Sequence, residues 1–276
     1  MRTVVIGVIT VPPGGQYKGL LAKSAAAPSS HSMKFNTWSR DRRASRHSLK
    51  ALAELKRLEA FLPSPEARFA VPFVFRGDGH FKTIAPKQNP TEIESLYRRV
   101  CALAPRRVLE IGTAHGGTLY LWCQAAISQA VLVSVDLPDG PFGGSYRPCR
   151  VPLYRSFARP DQKLHLVRAD SHSQATVTEV ASLFTGEPVD FAFIDGDHTE
   201  QGVRQDLAMY GHLVRPGGLI AFHDILPRPE YPDIQVHKLW QDLRTRYPSD
   251  EYIASGVGVQ TIGIGVITVP AGGLVV

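Results

Sequence analysis

The sequence predicts an α/β fold in which helices cover both faces of a mostly parallel sheet. From Asn89 onward, short β-branched runs alternate with segments of helical periodicity. This alternation is typical of doubly wound sheets, because each parallel strand needs a crossover before the next one. Hydrophobic residues make up 43% of the 276 residues and charged residues 20%, as in ordinary globular proteins. We therefore expect one large domain, or one domain with an appendage.

Residues 1–60 are predicted to be an extension that precedes the main domain, residues 61–276. The extension contains "IGVITVPPGG", a linker-like stretch "AKSAAAPSSHS" and a segment dense in Arg and Lys. We predict an amphipathic helix over 44–61, ended by Pro63, because four leucines recur at helical spacing: Leu49, Leu52, Leu55 and Leu58. The net charge of +6 would allow a nucleic acid or an anionic membrane to bind here. The leucine spacing favours an ordinary helix with a solvated basic face.

The main domain begins with a well-marked helix and continues as alternating strands and helices. Asn89 is placed as an N-cap, Pro90 as the first helical residue, and Glu92 could reach back to the cap. The predicted strands are "RRVLEIG", "AVLVSVDLP", "KLHLVRAD", "VDFAFIDGD" and "GGLIAFHDI". Helices are predicted at "GTLYLWCQAAISQ", at about 174–185 and at "EQGVRQDLAMYGHLV". Ligands of such sheets bind at the carboxyl ends of the strands, so these ends are the candidate site.

The first strand ends in the glycine-rich turn "LEIGTAHGGT", with Glu110 just before it. Glycines in a turn between strand and helix let a ligand approach the backbone. Ala114 stands where the dinucleotide fingerprint needs its second glycine, and Glu110 would repel a phosphate. We therefore expect a ligand with a cationic group at Glu110, Gly112, Ala114 and Gly116.

The second and third strands end in residues suited to a nucleoside. Asp136 is placed to accept both hydroxyls of a ribose, and Leu137-Pro138 after it argues against a helix cap. Asp170 and Ser171 follow the third strand, where they could contact an adenine edge or cap the next helix. The sequence leaves these two interpretations of Asp170 and Ser171 open.

The fourth and fifth strands end in carboxylates and histidines. Asp197 fits a capping box with Glu200, but Asp195 has no such structural role. If these strands are neighbours, Asp195 meets His223 and Asp224. Carboxylates with an imidazole suit a divalent cation such as Mg²⁺, Mn²⁺ or Fe²⁺. We predict a metal site formed by Asp195, His223 and Asp224.

These motifs together carry a family resemblance. The Glu110-x-Gly112 turn, Asp136, "FIDGDHTEQGVRQDL" and "VRPGGLIAFHD" resemble class I S-adenosylmethionine-dependent methyltransferases. More narrowly, they resemble the group with macrolide-sugar and rhamnosyl O-methyltransferases and cephalosporin hydroxylase-like proteins. The resemblance covers about residues 75–270. It implies a Rossmann-like, mostly parallel seven-stranded sheet with an antiparallel last strand.

The resemblance also implies a cofactor and an activity. S-adenosylmethionine would bind through Glu110, Gly112, Ala114, Gly116, Asp136, Asp170 and Ser171, while Asp195, His223 and Asp224 would hold the cation, with Mg²⁺ expected. His223 departs from the family, where oxygen ligands are usual. Methyl transfer to a hydroxyl needs a proton acceptor, for which we choose His198 beside Asp195, with His223 as the alternative. The gly-rich segment "PDGPFGGSY" would form a mobile loop over this site.

We therefore expect an O-methyltransferase that acts on a hydroxyl of a sugar or natural-product small molecule. Two alternatives are a metal-dependent oxygenase on the same scaffold and a non-catalytic binding protein that uses the basic helix. The sequence has no apolar run long enough to span a bilayer, and its three cysteines suggest neither a metal site nor a disulfide framework. We expect a cytoplasmic protein that does not bind nucleic acid.

A decapeptide is repeated near the two ends of the chain. "IGVITVPPGG" (6–15) and "IGVITVPAGG" (264–273) differ at one position. The second copy suits the antiparallel last strand of the implied fold. The first copy could be an edge strand, a strand offered to a second subunit of a homo-oligomer, or an extension upstream of a true start at Met33. We favour the last interpretation.

Overall fold

The computed structural model describes residues 30–138, 140, 146–255 and 262–274, with side chains from residue 44 onward. The chain divides into two units, Met1–Arg40 and Asp41–Val276. Everything below concerns the second unit, apart from the beginning of the first helix. The domain boundary predicted after residue 60 stays a prediction.

A seven-stranded sheet forms the centre of the second unit. The strands are β1 (Arg107–Ile111), β2 (Val131–Val135), β3 (Lys163–Val167), β4 (Val189–Ile194), β5 (Val214–His223), β6 (Ser249–Tyr252) and β7 (Ile264–Thr268). Their order is β3-β2-β1-β4-β5-β7-β6. Strands β1 to β5 are parallel, and β7 runs antiparallel to both β5 and β6. The predicted doubly wound sheet with an antiparallel last strand is confirmed.

Helices cover both faces of this sheet. Within the described residues they are α1 (Ser30–Phe61), α2 (Pro65–Arg68), α3 (Val71–Val74), α4 (Pro90–Leu103), α5 (Gly117–Ala125), α6 (Val151–Arg155), α7 (Gln174–Leu183), α8 (Glu200–Tyr210) and α9 (Val236–Arg246). Short 3₁₀ turns occur at Gly79–Phe81, Pro148–Arg150 and Gly211–Leu213.

The buried residues form two clusters, and alternate residues of each strand belong to different clusters. Phe191 and Phe193 of β4 join the cluster that includes side chains of α1, α4, α5 and α6. Ala192 and Ile194, which point the other way, join the cluster that includes α7, α8 and α9. Because successive strand residues alternate between faces, one apolar run serves both layers.

The basic helix is longer than the predicted 44–61 segment. Helix α1 begins at Ser30, since neither proline nor glycine interrupts the chain between there and Phe61. Ala51, Leu55 and Leu58 are buried, whereas Leu49 is 68% exposed. Steps of three residues turn the helix by only about 300°, so the four leucines spread over about half of its circumference. The predicted amphipathic helix over 44–61 is confirmed, with Leu49 on its exposed side and Leu55 and Leu58 on its buried side.

Helix α4 begins as predicted, but Glu92 has a different role. The side chain of Asn89 accepts a hydrogen bond from the Thr91 backbone at 2.9 Å, with Pro90 as the first helical residue. Glu92 does not reach back to this cap. It is buried and accepts hydrogen bonds from the backbone N–H groups of Ala254 and Gly263, at 2.9 and 3.0 Å. This carboxylate connects α4 to the segment between β6 and β7.

The second copy of the repeated decapeptide forms β7 and the turn after it. This strand lies inside the sheet between β5 and β6, and its residues Ile264, Val266 and Ile267 are buried. The first copy lies outside the described residues. No helix in the described part of the chain is both long and apolar enough to cross a membrane. Cys101, Cys123 and Cys149 are free thiols.

Candidate active site

A cavity of about 530 Å³ opens at the carboxyl ends of the parallel strands. This is the size of an ordinary small-molecule site. Its wall includes nine of the eleven predicted site residues: Gly112, Ala114, Asp136, Asp170, Ser171, Asp195, His198, His223 and Asp224. Glu110 and Gly116 are not among the residues that line it.

The glycine-rich turn after β1 forms the floor of the cavity. Gly112 has φ +93°, and a Cβ at this position would collide with the carbonyl oxygen of Asp195. The turn is therefore packed directly against the end of β4, which only glycine permits. Ala114 also lies in the left-handed region, with φ 43°. The close packing brings the turn and Asp195 to one place.

Asp136 connects the end of β2 to this turn. Its Oδ2 accepts hydrogen bonds from the backbone N–H groups of Thr113 and Ala114, both at 2.8 Å. The carboxylate is 4% exposed and lines the cavity. Hydrogen bonds to the charged form fix the carboxylate's orientation, as a ribose-binding acidic group requires.

Glu110 and Gly116 lie behind the cavity wall. Glu110 is fully buried, and its Oε2 accepts a hydrogen bond from the Ser134 hydroxyl at 2.6 Å. Burial raises the pKa of Glu110 to about 8, although the bond from Ser134 opposes this shift. Gly116 caps α5 with φ +82°, and a Cβ there would lie 2.8 Å from the Tyr154 ring. In this structure both residues support the turn from behind.

The segment after β3 forms one end of the cavity. Asp170 accepts a hydrogen bond from the His172 backbone at 2.9 Å, and Ser171 accepts one through its carbonyl from Tyr210 at 2.7 Å. The cap residue of α7 is Ser173. Neither Asp170 nor Ser171 is that cap, so the helix-cap interpretation is not supported, and both side chains remain candidates for ligand contact.

Asp195, His198, His223 and Asp224 converge at the other end of the cavity. The Nδ1 atom of His223 lies 3.1 Å from Oδ1 of Asp195 and 3.2 Å from Oδ2 of Asp224. Nε2 of His198 lies 3.4 Å from Oδ1 of Asp195, and its Nδ1 lies 3.2 Å from Oδ2 of Asp224. Each histidine therefore contacts both carboxylates, because β4 and β5 are neighbours.

Three of these residues have the spacing of a metal site. Ligand atoms of Asp195, His198 and Asp224 lie within 4.8 Å of one another. His223, which we predicted as a ligand, is not in this set. It ends β5, and its ring is buried against the two carboxylates. His198, predicted as the general base, takes its place in the set because it lies on the loop that faces the cavity.

Opposite charges in this cluster lie within a few ångströms of one another. Burial opposes charge on His223, but Asp195 and Asp224 outweigh burial and raise the pKa of His223 to about 10. The pKa of His198 is raised in the same way, against burial, chiefly by Asp195. Burial of Asp195 is likewise outweighed by His223 and His198, which hold its pKa below the usual range. The protonated histidines thus balance the charge of the carboxylates, as a bound cation would do.

The start of α8 corrects the predicted capping box. Thr199 is the N-cap, and its hydroxyl accepts a hydrogen bond from the Gly202 backbone at 3.0 Å. Asp197 accepts one from the Thr199 backbone at 2.8 Å, and Glu200 pairs with Arg204 on the surface. Because the helix starts two residues later than predicted, Asp197 remains on the cavity wall.

Three contacts of the site were not predicted. Gln88 donates a hydrogen bond to Oδ2 of Asp195 at 2.6 Å, which fixes the carboxylate from the opposite side. Arg228 pairs with Oδ1 of Asp224 and stacks 5.1 Å above the Tyr231 ring. These residues lie in loops whose sequence has no periodicity, and only their nearness to strand ends could have indicated them. Most of the predicted mobile loop, residues 139 and 141–145, lies outside the described residues.

The central part of the chain matches a known protein family. Residues 109–225 match the model of a family described as a methyltransferase domain. The match spans 117 of the 276 residues, so the central part of the chain is similar to a methyltransferase domain. The matched residues run from β1 to the residue after Asp224 and include all eleven predicted site residues. The match agrees with the predicted enzyme class, a methyltransferase.

Individual proteins that are similar to this chain are distant in sequence. An uncharacterized protein of Sinorhizobium fredii is 27% identical over 153 residues, which are 54% of this chain but only 16% of that protein. The solved structure of an O-methyltransferase from Bacillus cereus in complex with SAH is 17% identical to this chain. The alignment covers 73% of this chain and 96% of the Bacillus cereus chain, with a TM-score of 0.49. The O-methyltransferase TomG from Streptomyces achromogenes, in complex with SAM, is 15% identical, with coverages of 74% and 87% and a TM-score of 0.49.

Proposed function

We propose that this methyltransferase transfers a methyl group from S-adenosylmethionine to a hydroxyl of a sugar or natural-product small molecule, assisted by a divalent cation. One observation carries the proposal. A single cavity holds a carboxylate anchored to a glycine-rich turn, Asp136, and a cluster with metal-ligand spacing, Asp195, His198 and Asp224. A nucleoside cofactor and a cation could therefore bind beside each other.

The cofactor end of the cavity suits the parts of S-adenosylmethionine. Asp136 would hold the ribose, and Gly112 and Ala114 would pass close to the methionine portion. Asp170 and Ser171 would border the base. Carboxylates at this end favour a cationic sulfonium ligand over a pyrophosphate. When bound, S-adenosylmethionine would supply the methyl group to the acceptor oxygen and leave as a neutral thioether, and the proton of the acceptor hydroxyl would pass to solvent.

The cation end suits a hard or borderline metal ion. Two carboxylates and one imidazole are a donor set that Mg²⁺, Mn²⁺ and Fe²⁺ accept. We assign the ligand role to Asp195, His198 and Asp224, and His223 holds the two carboxylates in place. A bound cation would lower the pKa of the acceptor hydroxyl. An imidazole that binds a metal ion through its lone pair cannot also accept a proton there. The metal-ligand role therefore replaces the general-base role that we predicted for His198.

The cation site is tested by titrating the protein with Mn²⁺ and measuring free Mn²⁺ by electron paramagnetic resonance. We expect one site, and we expect Asp195→Asn and Asp224→Asn to weaken it at least tenfold. Asp197→Asn is the matched control, because Asp197 lines the same cavity outside the ligand set and asparagine keeps its acceptor. Equal Mn²⁺ affinity in all four proteins would refute the cation site.

The cofactor is tested separately by calorimetry with S-adenosylhomocysteine, the demethylated product. We expect binding by the unmodified protein and a loss of affinity in Asp136→Ala. The alternative oxygenase would use the same donor set to hold Fe²⁺. Oxygen uptake with Fe²⁺, together with no binding of S-adenosylhomocysteine, would favour the oxygenase over the transferase.

A further inference from the structure

Each of the two carboxylates in the candidate cation site is held from outside the cluster. Oδ2 of Asp195 accepts a hydrogen bond from Nε2 of Gln88 at 2.6 Å. Oδ1 of Asp224 accepts a hydrogen bond from the guanidinium of Arg228. The two donors come from different parts of the chain, the segment before α4 and the segment after β5. Each carboxylate therefore has one oxygen that already has a partner.

The other oxygen of each carboxylate faces the two histidines. Oδ1 of Asp195 lies 3.4 Å from Nε2 of His198, and Oδ2 of Asp224 lies 3.2 Å from Nδ1 of the same ring. Nδ1 of His223 lies 3.1 Å and 3.2 Å from these same two oxygens. The cluster therefore offers a cation one oxygen from each carboxylate.

The side chain of Gln88 is placed for its contact with Asp195. Gln88 is 5% exposed and directly precedes Asn89, whose side chain caps α4. A carboxylate oxygen only accepts, so the amide nitrogen is the atom that faces Asp195. Within the described part of the chain, Oε1 of Gln88 is buried and has no hydrogen-bond partner. Because an unpaired buried acceptor lowers stability, packing alone does not explain an amide at this position.

The guanidinium of Arg228 is also held in place. The side chain is 12% exposed, and its guanidinium carbon lies 5.1 Å from the centre of the Tyr231 ring. Its Nε is buried and, among the described residues, has no hydrogen-bond partner. Stacking on the ring limits the positions open to the guanidinium. The oxygen of Asp224 that it contacts cannot turn toward a cation without losing this charge-assisted hydrogen bond.

The number of oxygens that a carboxylate offers distinguishes two divalent cations. Ca²⁺ takes about six to eight oxygen ligands in flexible geometry and binds carboxylates through one oxygen or through both. Mg²⁺ is smaller, requires a nearly octahedral arrangement and usually keeps several waters. Asp195, His198 and Asp224 offer one ligand atom each, which leaves the other octahedral positions for water or an acceptor hydroxyl. Such a site suits Mg²⁺ better than Ca²⁺.

We propose that Gln88 and Arg228 are positioning residues that restrict Asp195 and Asp224 to one ligand oxygen each, and that this restriction makes the site select Mg²⁺ over Ca²⁺. The inference rests on the proposed function and concerns the choice of its cation. Both residues act through the carboxylates, since neither belongs to the set with metal-ligand spacing. Without Gln88, the carboxylate of Asp195 is free to turn and offer both oxygens, which favours the larger ion.

The test compares the affinities for Mg²⁺ and Ca²⁺ by competition on the full chain. Mn²⁺ is bound first and followed by electron paramagnetic resonance, and Mg²⁺ or Ca²⁺ is then added to displace it. We expect the unmodified protein to bind Mg²⁺ about tenfold more tightly than Ca²⁺. Gln88→Leu and Arg228→Met should each lower this ratio about fivefold, whatever they do to the absolute affinities. A side chain that only supports the fold would change both affinities alike.

Two further substitutions are the controls. Gln124→Leu removes a buried glutamine that lies outside the cavity wall and donates to the Phe157 carbonyl at 3.3 Å. Lys87→Met removes a positive charge from the cavity wall, as Arg228→Met does, at a residue that holds neither carboxylate. Both controls should keep the ratio of the unmodified protein, because both competing ions carry the same charge.

The inference and the proposed function can fail independently. If the ratio is unchanged in Gln88→Leu and in Arg228→Met, the inference is overturned while the cation site stands. Equal affinity of the unmodified protein for Mg²⁺ and Ca²⁺ overturns it as well. Should Gln88→Leu fail to fold, the ratio in Arg228→Met decides. If the unmodified protein binds none of the three ions, the inference and the cation site of the proposed function both fail.

Discussion

Asp195 shows how one strand-end carboxylate is prepared from several directions. Its Oδ2 receives the Gln88 amide, while its Oδ1 faces His223 and His198. The two oxygens therefore have different partners: Oδ2 is held by the neutral Gln88 amide, and Oδ1 faces the two histidines. Charge-assisted bonds of this kind are short and directional, so the orientation of the carboxylate is determined before a ligand binds.

Glu110 is the residue whose titration should be visible in the stability of the whole protein. An unfolded glutamate ionises at about pH 4.3, whereas burial keeps folded Glu110 protonated up to about pH 8. The folded state therefore loses stability as the pH rises from about 4.3 to 8, and the loss levels off above that. A shift of this size corresponds to at most about 5 kcal/mol.

Replacing Glu110 with glutamine should remove this slope. The free energy of unfolding of Glu110→Gln, measured with urea relative to the unmodified protein, should rise by several kcal/mol between pH 5 and pH 8.5, up to about 4. Glu187→Gln is the control, because Glu187 is an exposed partner of Arg107. A constant difference between the Glu110→Gln and unmodified proteins across this range would contradict the raised pKa of Glu110.

At the scale of elements, β7 shows why one copy of the repeat suits the sheet. Gly263 precedes the strand with φ +81°, and a Cβ there would lie 2.7 Å from the Ile225 side chain. Gly265 faces Trp240, with a Cβ distance of 2.6 Å. The first copy has the matching Gly7 but has Val5 in place of Gly263. A β-branched residue resists a positive φ, so the two copies are not equivalent in this position.

We expect Gly263→Val to destabilise the protein by about 2 to 4 kcal/mol, because strain and overpacking add. The same substitution at Gly272 is the control, since a Cβ at Gly272 would meet nothing within 4 Å. Urea unfolding of both variants measures the difference. Equal stability of the two variants would show that the turn before β7 tolerates a side chain.

At the scale of the whole molecule, the charge of the cavity differs from the charge of the chain. The protein has a formal net charge of +6, but its cavity wall includes five aspartates: Asp136, Asp170, Asp195, Asp197 and Asp224. Lys87 and Arg228 are the lysine and arginine on that wall. Because the pKa values of His223 and His198 are also raised, the negative charges of this wall are largely paired with positive ones, although the chain as a whole is positive.

Ligand binding should stabilise the whole domain, because the cavity is built from the ends of five neighbouring strands. S-adenosylhomocysteine at 100 times its Kd should add about 2.7 kcal/mol, which raises the Tm by roughly 5 to 10 °C. Asp136→Ala should lose most of this shift at the same concentration, while Asp250→Ala on β6 should keep it. A thermal melt that does not respond to millimolar ligand would argue against the cofactor.

The sequence alone determined the fold class and nine residues of the cavity wall. Strand periodicity placed the β-strands, and the parallel arrangement brings their carboxyl ends to one edge. Residues that directly follow a strand, such as Asp136 and Asp224, therefore needed no further information. The N-cap Asn89 was equally predictable, because capping is a contact between residues close in the chain.

Only the tertiary structure decided where each of those residues lies and which partners it contacts. It placed Glu110 behind the cavity wall, assigned Glu92 to the segment before β7, and brought Gln88 to Asp195. It also put His198 rather than His223 into the set with metal-ligand spacing. Each of these outcomes depends on contacts between residues far apart in the chain, whose geometry follows from how helices pack on the sheet. Local patterns carry no record of that packing, whereas the strand ends follow from periodicity.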